Sequence, residues 1–359
     1  MKAIDVIIWD EASMSSRRML ELVNVFHHDL ADDLGRMYPF AGKQLILVGE
    51  FLQLQPVPNM FDEGCYMFES PLFDHAISHR FALTKVMRQS EEDREFLKAL
   101  SEIRFGQCAN ETETYLCSLS RELSRSLKEC ATHIFFRKIP AMLMNREELD
   151  KLPGTMVTFD ASYENENSSS MSWPGERVLQ LKTGCKVMLV WNKSDDLKNG
   201  STGIFKGTRG DALLVLFEGV GVVEIKRETW VKRNRNGQKV GSFTQYPIVL
   251  AYAVTCHKSQ GLTLASAIVH CSREYVSGLI YVAVSRVRSP AHIQLLNFNR
   301  LQLMKPQRRA LEMSSSHHLT DPVDDLTCCR HKCFTNETPL SVKERSESIE
   351  GDVEAFLFP

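Results

Sequence analysis

Five short stretches of this 359-residue chain carry side chains suited to one kind of chemistry, the handling of phosphate. The first is Ile4-Asp5-Val6-Ile7-Ile8-Trp9-Asp10-Glu11-Ala12-Ser13-Met14, an apolar run that ends in two adjacent carboxylates. One acid of such a pair can hold Mg²⁺ while the other orients an attacking water. Taken alone, Asp10-Glu11 serves equally well as an acidic helix start, where the helix dipole favours negative charge. The second stretch, Gly49-Glu50-Phe51-Leu52-Gln53-Leu54-Gln55-Pro56-Val57, also follows an apolar run. Its Gln53 is placed to hydrogen-bond a γ-phosphate or a water. The third is His257-Lys258-Ser259-Gln260-Gly261-Leu262-Thr263, which offers several donors and a glycine where backbone can approach a phosphate. The fourth, Val282-Ala283-Val284-Ser285-Arg286-Val287-Arg288-Ser289, and the fifth, Thr84-Lys85-Val86-Met87-Arg88-Gln89, each bring an arginine that can neutralise phosphoryl charge. Singly, the second also reads as a surface loop with an incidental Gln, the third as a solvated polar turn, and the arginines of the fourth can equally pair with carboxylates.

These residues need elements to hold them. Val6–Trp9 and Gln44–Val48 read as strands, and apolar strands without alternation predict a sheet covered on both faces. A helix is expected over Ser16–Leu34, helical periodicity over 91–105 and 114–130, and a strand ending at Arg88. Strands are expected at His133–Phe136, Cys185–Trp191, Ile248–Thr255, Ile268–Cys271 and His292–Leu296, with a helix across Gly278–Val284. Carboxylates at the end of a central strand lie where an open α/β sheet builds its site. Between 198 and 243 the character changes. Gly200, Gly203, Gly207, Gly210, Gly219, Gly221, Gly237 and Gly241 separate short strands, as in a small β-barrel or hairpin insert. Its end is basic (Lys226, Arg227, Lys232, Arg233, Arg235, Lys239), and Trp230 within it is expected to fill the small core.

Composition narrows the class. The chain is 43% hydrophobic and 25% charged, with a net charge of −2. That is ordinary globular usage. The charge argues against a general coat for duplex nucleic acid and leaves room for a local basic groove. No apolar run approaches the ~18–20 residues a membrane span needs, and the N-terminus lacks the apolar core and cleavage site of a leader. The ten cysteines are scattered. They are expected as buried reduced thiols rather than a disulfide framework. Cys328, Cys329, His331 and Cys333 are too tightly spaced for one tetrahedral zinc site and read as incidental. A metal-dependent hydrolase built on Asp10-Glu11 would need a histidine ligand set that is not evident.

Taken together, in this order and spacing, the five stretches resemble the motifs of the PIF-type DNA helicases, a RecD-like branch of helicase superfamily one. Asp10–Met14 matches the Walker B motif II, Gly49–Val57 motif III, Val86–Gln89 motif IV, His257–Thr263 motif V and Val282–Ser289 motif VI. Tyr38–Gly42, Glu102–Gly106 and Gly184–Leu189 are further landmarks, and the resemblance covers roughly residues 3–298. Helitron transposon helicases carry the same set.

The resemblance implies an α/β fold of RecA-like P-loop motor domains with an SH3-like insert. Residues 1–105 would be the C-terminal part of the first domain, 106–197 and 244–300 the second, 198–243 the insert and 301–359 a mostly disordered tail. It implies ATP and Mg²⁺ as cofactors, with Asp10 on the metal, Glu11 activating water and Gln53 sensing the γ-phosphate. Arg88 and Arg286 would contact phosphates from either side of an interdomain cleft. Gln260 and Gly261 would couple nucleotide to DNA, with His257, Lys258 and Thr263 near the strand. The implied activity is 5′-to-3′ translocation on single-stranded and forked DNA, in repair, recombination or telomere maintenance in nucleus or mitochondrion, with no membrane and no obligate protein partner. Two features depart from the family pattern: motif III has Glu50 and Gln55 where Asp and Pro are usual, and no Gly-x-x-x-x-Gly-Lys-Ser/Thr loop occurs. An N-terminally truncated helicase, inactive alone and with an apolar sheet face exposed in residues 1–105, is therefore expected. The alternative is an ATP-independent single-strand-binding remnant.

Overall fold

The computed structural model describes residues 4–164, 171, 173–233 and 238–315. The expected disordered tail beyond 315 and its Cys/His cluster lie outside these residues, as does Arg235. The chain forms two units. One comprises 1–118, 272–285 and the residues from 298; the other comprises 119–271 and 286–297.

The first unit is built on two parallel strands, β1 (Val6–Trp9) and β2 (Gln44–Leu47), paired from Val6↔Gln44 to Trp9↔Leu47. Helix α1 (Arg17–Asp29) starts where the Ser16 side chain accepts the Met19 amide, and it ends short of the Leu34 expected from its periodicity. Helices α2 (Pro71–Ala76), α3 (Arg94–Arg104), α4 (Asn110–Ser118), α8 (Leu279–Val284) and α9 (Arg308–Met313) complete the unit. Ile7, Trp9, Leu45 and Leu47 pack on Leu20 of α1, with Phe40, Met67 and Phe73. The other sheet face carries Val6, Ile8, Ile46 and Val48, which are 42%, 70%, 40% and 47% exposed. Among the described residues helices cover one face and not the two that the apolar strands predicted, and the other is the exposed apolar face expected in residues 1–105 of a chain without the upstream elements. Residues 84–89 are not a strand. Among the described residues this sheet consists of β1 and β2, and an extended segment without a partner has no ladder to join.

The second unit centres on a four-stranded sheet in the order β14 (Ala253–Thr255), β3 (Thr132–Phe135), β15 (Ala267–His270), β16 (Ile293–Leu296). Every pair in it is parallel. The helical stretch expected over 114–130 is split into α4 and α5 (Arg125–Cys130). The carbonyls between them are used elsewhere: Leu119 accepts the Leu295 amide at 2.9 Å and Ser120 accepts Gln294 Nε2 at 3.0 Å. Helix α6 (Lys138–Lys151), which apolar spacing did not reveal, carries Asn145. The Asn145 side chain both donates to and accepts from the Ala253 backbone at 2.8 Å, standing in for a neighbouring strand along β14.

The remaining strands are antiparallel. β4 (Val157–Asp160) pairs β6 (Val178–Leu181). Five strands form one sheet, ordered β10 (Gly221–Ile225), β9 (Ala212–Phe217), β8 (Thr202–Arg209), β7 (Lys186–Leu189), β13 (Ile248–Leu250). Three form another, ordered β11 (Glu228–Arg233), β12 (Lys239–Gln245), β5 (Ser162–Tyr163). Val187, Leu189, Phe205, Leu213, Val215, Phe217 and Ile248 are buried together in the core beneath. Trp230 is not in that core. It is half-buried on β11, while Phe243 on β12 is the fully buried ring. The cysteines are only partly as expected: all seven described are free thiols, but only Cys185, Cys256 and Cys271 are buried.

Candidate functional site

Because β1 and β2 are parallel and in register, the loops after them leave from the same sheet edge. Two backbone bonds lace them together, Val48 N–H to the Trp9 carbonyl at 2.9 Å and Ala12 N–H to the Val48 carbonyl at 3.0 Å. Asp10 is exposed at that edge, and its Oδ1 accepts the Glu11 amide at 2.9 Å. Glu11 is in the left-handed region (φ 50, ψ 42), where a non-glycine residue is held against its preference by about 1–2 kcal/mol. Gly49 permits the close approach of the two loops. A Cβ on it would lie 2.9 Å from the Ala12 nitrogen and 3.1 Å from that of Ser13.

The loop after β2 divides its side chains cleanly. Leu52 and Leu54 are fully buried, and Phe51 meets Phe68 edge-on with ring centroids 4.8 Å apart. That anchorage leaves Glu50 and Gln53 to face one another. Glu50 Oε2 accepts from Gln53 Nε2 at 3.1 Å and from the Tyr281 hydroxyl at 3.2 Å, and Arg104 pairs with the same carboxylate. The longer acid at position 50 therefore does reach three donors. Gln53 Oε1 is buried without a hydrogen-bond partner among the described residues, so it can accept from a small donor entering the site.

Arg88 Nη1 and Gln89 Nε2 both donate to the Ser285 carbonyl at 3.1 Å, at the C-terminal end of α8. Burial pushes the Arg88 guanidinium below its ordinary pKa, while Tyr281 and Glu11 act in the opposite direction. Arg88 is thus within electrostatic reach of the Glu11 carboxylate. Asp10, Glu11, Gln53 and Arg88 all belong to this unit. Tyr281 and Gln89, its other polar contributors, had no assigned role from sequence, and Arg104 was noted only as part of a landmark. A hydroxyl-bearing ring in the otherwise apolar run Leu279–Val284 is the signal that could have found Tyr281.

The remaining candidates share the second unit. β14 runs directly into α7 (Cys256–Ser259), whose start is capped by the Thr255 side chain accepting the Lys258 amide. Gly261 takes φ 75 at the turn that follows. Lys258, Gly261 and Thr263 are exposed, while His257 and Gln260 are half-buried. Burial lowers the His257 pKa below the ordinary imidazole value. Arg286 is 2% exposed. Its backbone carbonyl accepts the Leu264 amide at 2.9 Å and its Nη1 approaches the Leu262 carbonyl at 3.5 Å, tying the sixth motif to the turn of the fifth. On the β-rich side, Trp191 and Trp230 meet edge-to-face at 5.9 Å, Trp230 and Phe243 lie tilted at 5.6 Å, and Trp173 stacks on Phe243 at 5.6 Å. Lys232 lies over the Trp173 ring at 5.2 Å. Among the described residues no cluster of His, Cys, Asp and Glu suits a metal ion by itself.

Parallel α/β sheets whose strand ends carry an acidic pair in one unit and a Gly-turn motif in the other define the RecA-like class. Residues 1–114 match the model of the PIF1-like helicase family. The chain is 32% identical over 331 residues to the ATP-dependent DNA helicase PIF1 of Homo sapiens, covering 86% of this chain and 51% of the human protein. It superposes on the crystal structure of Pif1 helicase from Candida albicans with a TM-score of 0.75 at 28% identity, covering 86% of this chain and 76% of that one. With Pif1 helicase from Bacteroides in complex with ADP-AlF3 and ssDNA the TM-score is 0.70 at 26% identity, over 87% and 75% of the two chains. The chain is thus similar to PIF1-like helicases along its length, and its residues 1–114 match that family's model. It spans about half the length of the human relative, 51%.

Proposed function

We propose that these residues form the hydrolytic edge and DNA-contacting part of an ATP-dependent 5′-to-3′ DNA helicase. The observation that supports this most directly is the gathering of Asp10, Glu11, Gln53 and Arg88 around one end of the β1–β2 sheet. In this reading Glu11 takes a proton from water as the water oxygen bonds the γ-phosphorus and the bond to the bridging oxygen breaks. The vacant Gln53 Oε1 accepts from that water and fixes its direction. Arg88, anchored on Ser285, offsets charge on the transferring group. Asp10 is the group suited to hold Mg²⁺, a hard cation that takes oxygen ligands and keeps several waters. The ion, when bound, would neutralise charge on the phosphate oxygens.

In the second unit Lys258 and Thr263 would meet the DNA backbone, with the His257 ring beside them. Gln260 and Gly261 lie in the same turn, to which Arg286 is tied through the Leu262 and Leu264 backbone. The Bacteroides relative's complex with ADP-AlF3 and ssDNA supports both ligands as the right classes.

The present sequence contains no Gly-x-x-x-x-Gly-Lys-Ser/Thr loop to cradle a triphosphate. DNA-stimulated ATP hydrolysis should therefore be at background for the 359 residues alone and clear when they are joined to a strand, P-loop and helix from a relative. Turnover by the chain alone would show that another element grips the phosphates. No turnover by the joined protein would end the hydrolytic reading.

A second reading, a single-strand binder that needs no ATP, is favoured by one observation. The partly exposed rings of Trp191, Trp230 and Trp173, with Lys232 beside them, offer stacking surface next to positive charge. Stacking on an aromatic contributes about 1–3 kcal/mol per base. Trp191→Ala should thus weaken binding of a labelled oligothymidylate roughly 5- to 150-fold in fluorescence anisotropy. Unchanged affinity would remove this surface from the account.

A further inference from the structure

Glu274 is a buried carboxylate that the reaction outlined above does not use. It lies in the turn before α8 and joins two segments. Its Oε1 accepts the Ile280 amide at 2.7 Å, its Oε2 accepts the Met304 amide at 2.5 Å, and the Leu279 amide also bonds to it. Its own amide donates to the Gln302 carbonyl at 3.0 Å. The start of α8 is thereby pinned to residues 302–304.

What α8 carries bears on the site. Gly278, at φ 87, brings the helix start against the second motif loop. A Cβ there would lie 2.9 Å from the Leu52 carbonyl oxygen and 3.1 Å from that of Gln53. One helical turn later Tyr281 donates to Glu50, which in turn holds Gln53. At the far end the Ser285 carbonyl receives Arg88 and Gln89. A shift of this six-residue helix would move the partner of Gln53 and the partner of Arg88 together.

We propose that Glu274 is a positioning residue: by fixing the start of α8 to residues 302–304, it holds Tyr281 on Glu50 and the Ser285 carbonyl on Arg88, and so sets Gln53 and Arg88 for the hydrolytic role assigned to them. The identity of the side chain supports this. Burial raises its pKa to about 7 against the pull of the three amides, and no charged side chain contributes to the shift. A buried acid is a costly way to fill space, but its two oxygens answer amides on two separate segments at once, which a hydroxyl or a single amide oxygen does not.

The consequence for catalysis rests on the proposed function, but the test does not use ATP. Amide hydrogen exchange of the full chain, read by peptide, reports local opening directly. Glu274→Ala leaves the Leu279, Ile280 and Met304 amides without this acceptor, and it should speed exchange about tenfold or more over 279–285 and 302–305 and also over 49–55 and 86–90. Exchange over 132–135 and 267–270 should not change. Glu274→Gln, which keeps one acceptor oxygen and the volume, should recover part of the protection. Opening confined to 302–305, with 49–55 and 86–90 as in the parent, would overturn the proposal. If Glu274→Ala loses protection throughout α1, Tyr281→Phe decides. It should open 49–55 while 279–280 and 304 stay protected, and an unchanged 49–55 would refute transmission through α8. Failure of the hydrolysis assay leaves these outcomes untouched, and their failure leaves the hydrolytic reading untouched.

Discussion

Glu11→Gln should lower DNA-stimulated ATP hydrolysis by about 10²–10⁴-fold, the range over which a positioned general base contributes. The assay belongs in protein that joins these residues to a phosphate-binding loop. The amide keeps the size and the turn of Glu11 but cannot take a proton from water. Asp10 keeps its exposed place at the end of β1, so retention of the nucleotide should change little, and single-strand affinity should stay within about twofold because Lys258 and Thr263 are in the other unit. The same variant separates Glu11 from Arg88. Arg88 owes part of its electrostatic environment to Glu11, so Arg88→Ala should also depress hydrolysis, whereas an effect of Glu11→Gln on single-strand binding as large as that on hydrolysis would mean the turn itself has collapsed. In that event the carboxylate would have a structural part and not the one assigned to it.

Gly49→Val is expected to be the most damaging single change to the first unit. The obstacle is backbone: even the first carbon of a side chain would lie 2.9 Å from the Ala12 nitrogen, which donates to the Val48 carbonyl. Unlike a crowded side-chain tip, neither partner can swing aside without breaking the lacing of the two loops. Overpacking of this kind costs about 1–3 kcal/mol, and loss of the Ala12–Val48 bond would add about 1 kcal/mol. Thermal unfolding of the chain followed by circular dichroism should show the first unit melting earlier, and Gly49→Ala should have a smaller effect of the same sign. A melting profile unchanged by valine would mean that the loops after β1 and β2 are farther apart in solution than their hydrogen bonds require.

The site was legible in sequence where chemistry and punctuation coincide. Asp10-Glu11 and Gly49–Gln53 each follow an apolar strand, and parallel pairing of two such strands leaves little choice about where their loops go. Arg88 was singled out by its type, and the structure sets it on the Ser285 carbonyl and not on the strand expected to deliver it. What escaped was contact made by residues distant along the chain. Tyr281 reaches Glu50 across 231 positions, and nothing in the local pattern of an apolar helix announces that its hydroxyl is used. Asn145 was missed for a similar reason, because its side chain imitates a strand and sequence periodicity registers only strands. The covered-sheet expectation failed differently. An apolar strand reports what it would bury, not whether a partner for each face is among the residues described.

The left-handed turn at Glu11 sets a limit on engineering this fold. Glycine is the residue that position 11 would take if folding alone chose it, since it adopts φ 50 without the steric penalty of a Cβ. Relief of the left-handed penalty, less the added entropy of the unfolded chain, should let stability screens favour Glu11→Gly by up to about 1 kcal/mol, and each such success would delete the carboxylate proposed above as proton acceptor. Under that proposal thermostability and turnover are selected in opposite directions at this turn, so a library ranked by melting temperature would enrich for variants without the acid.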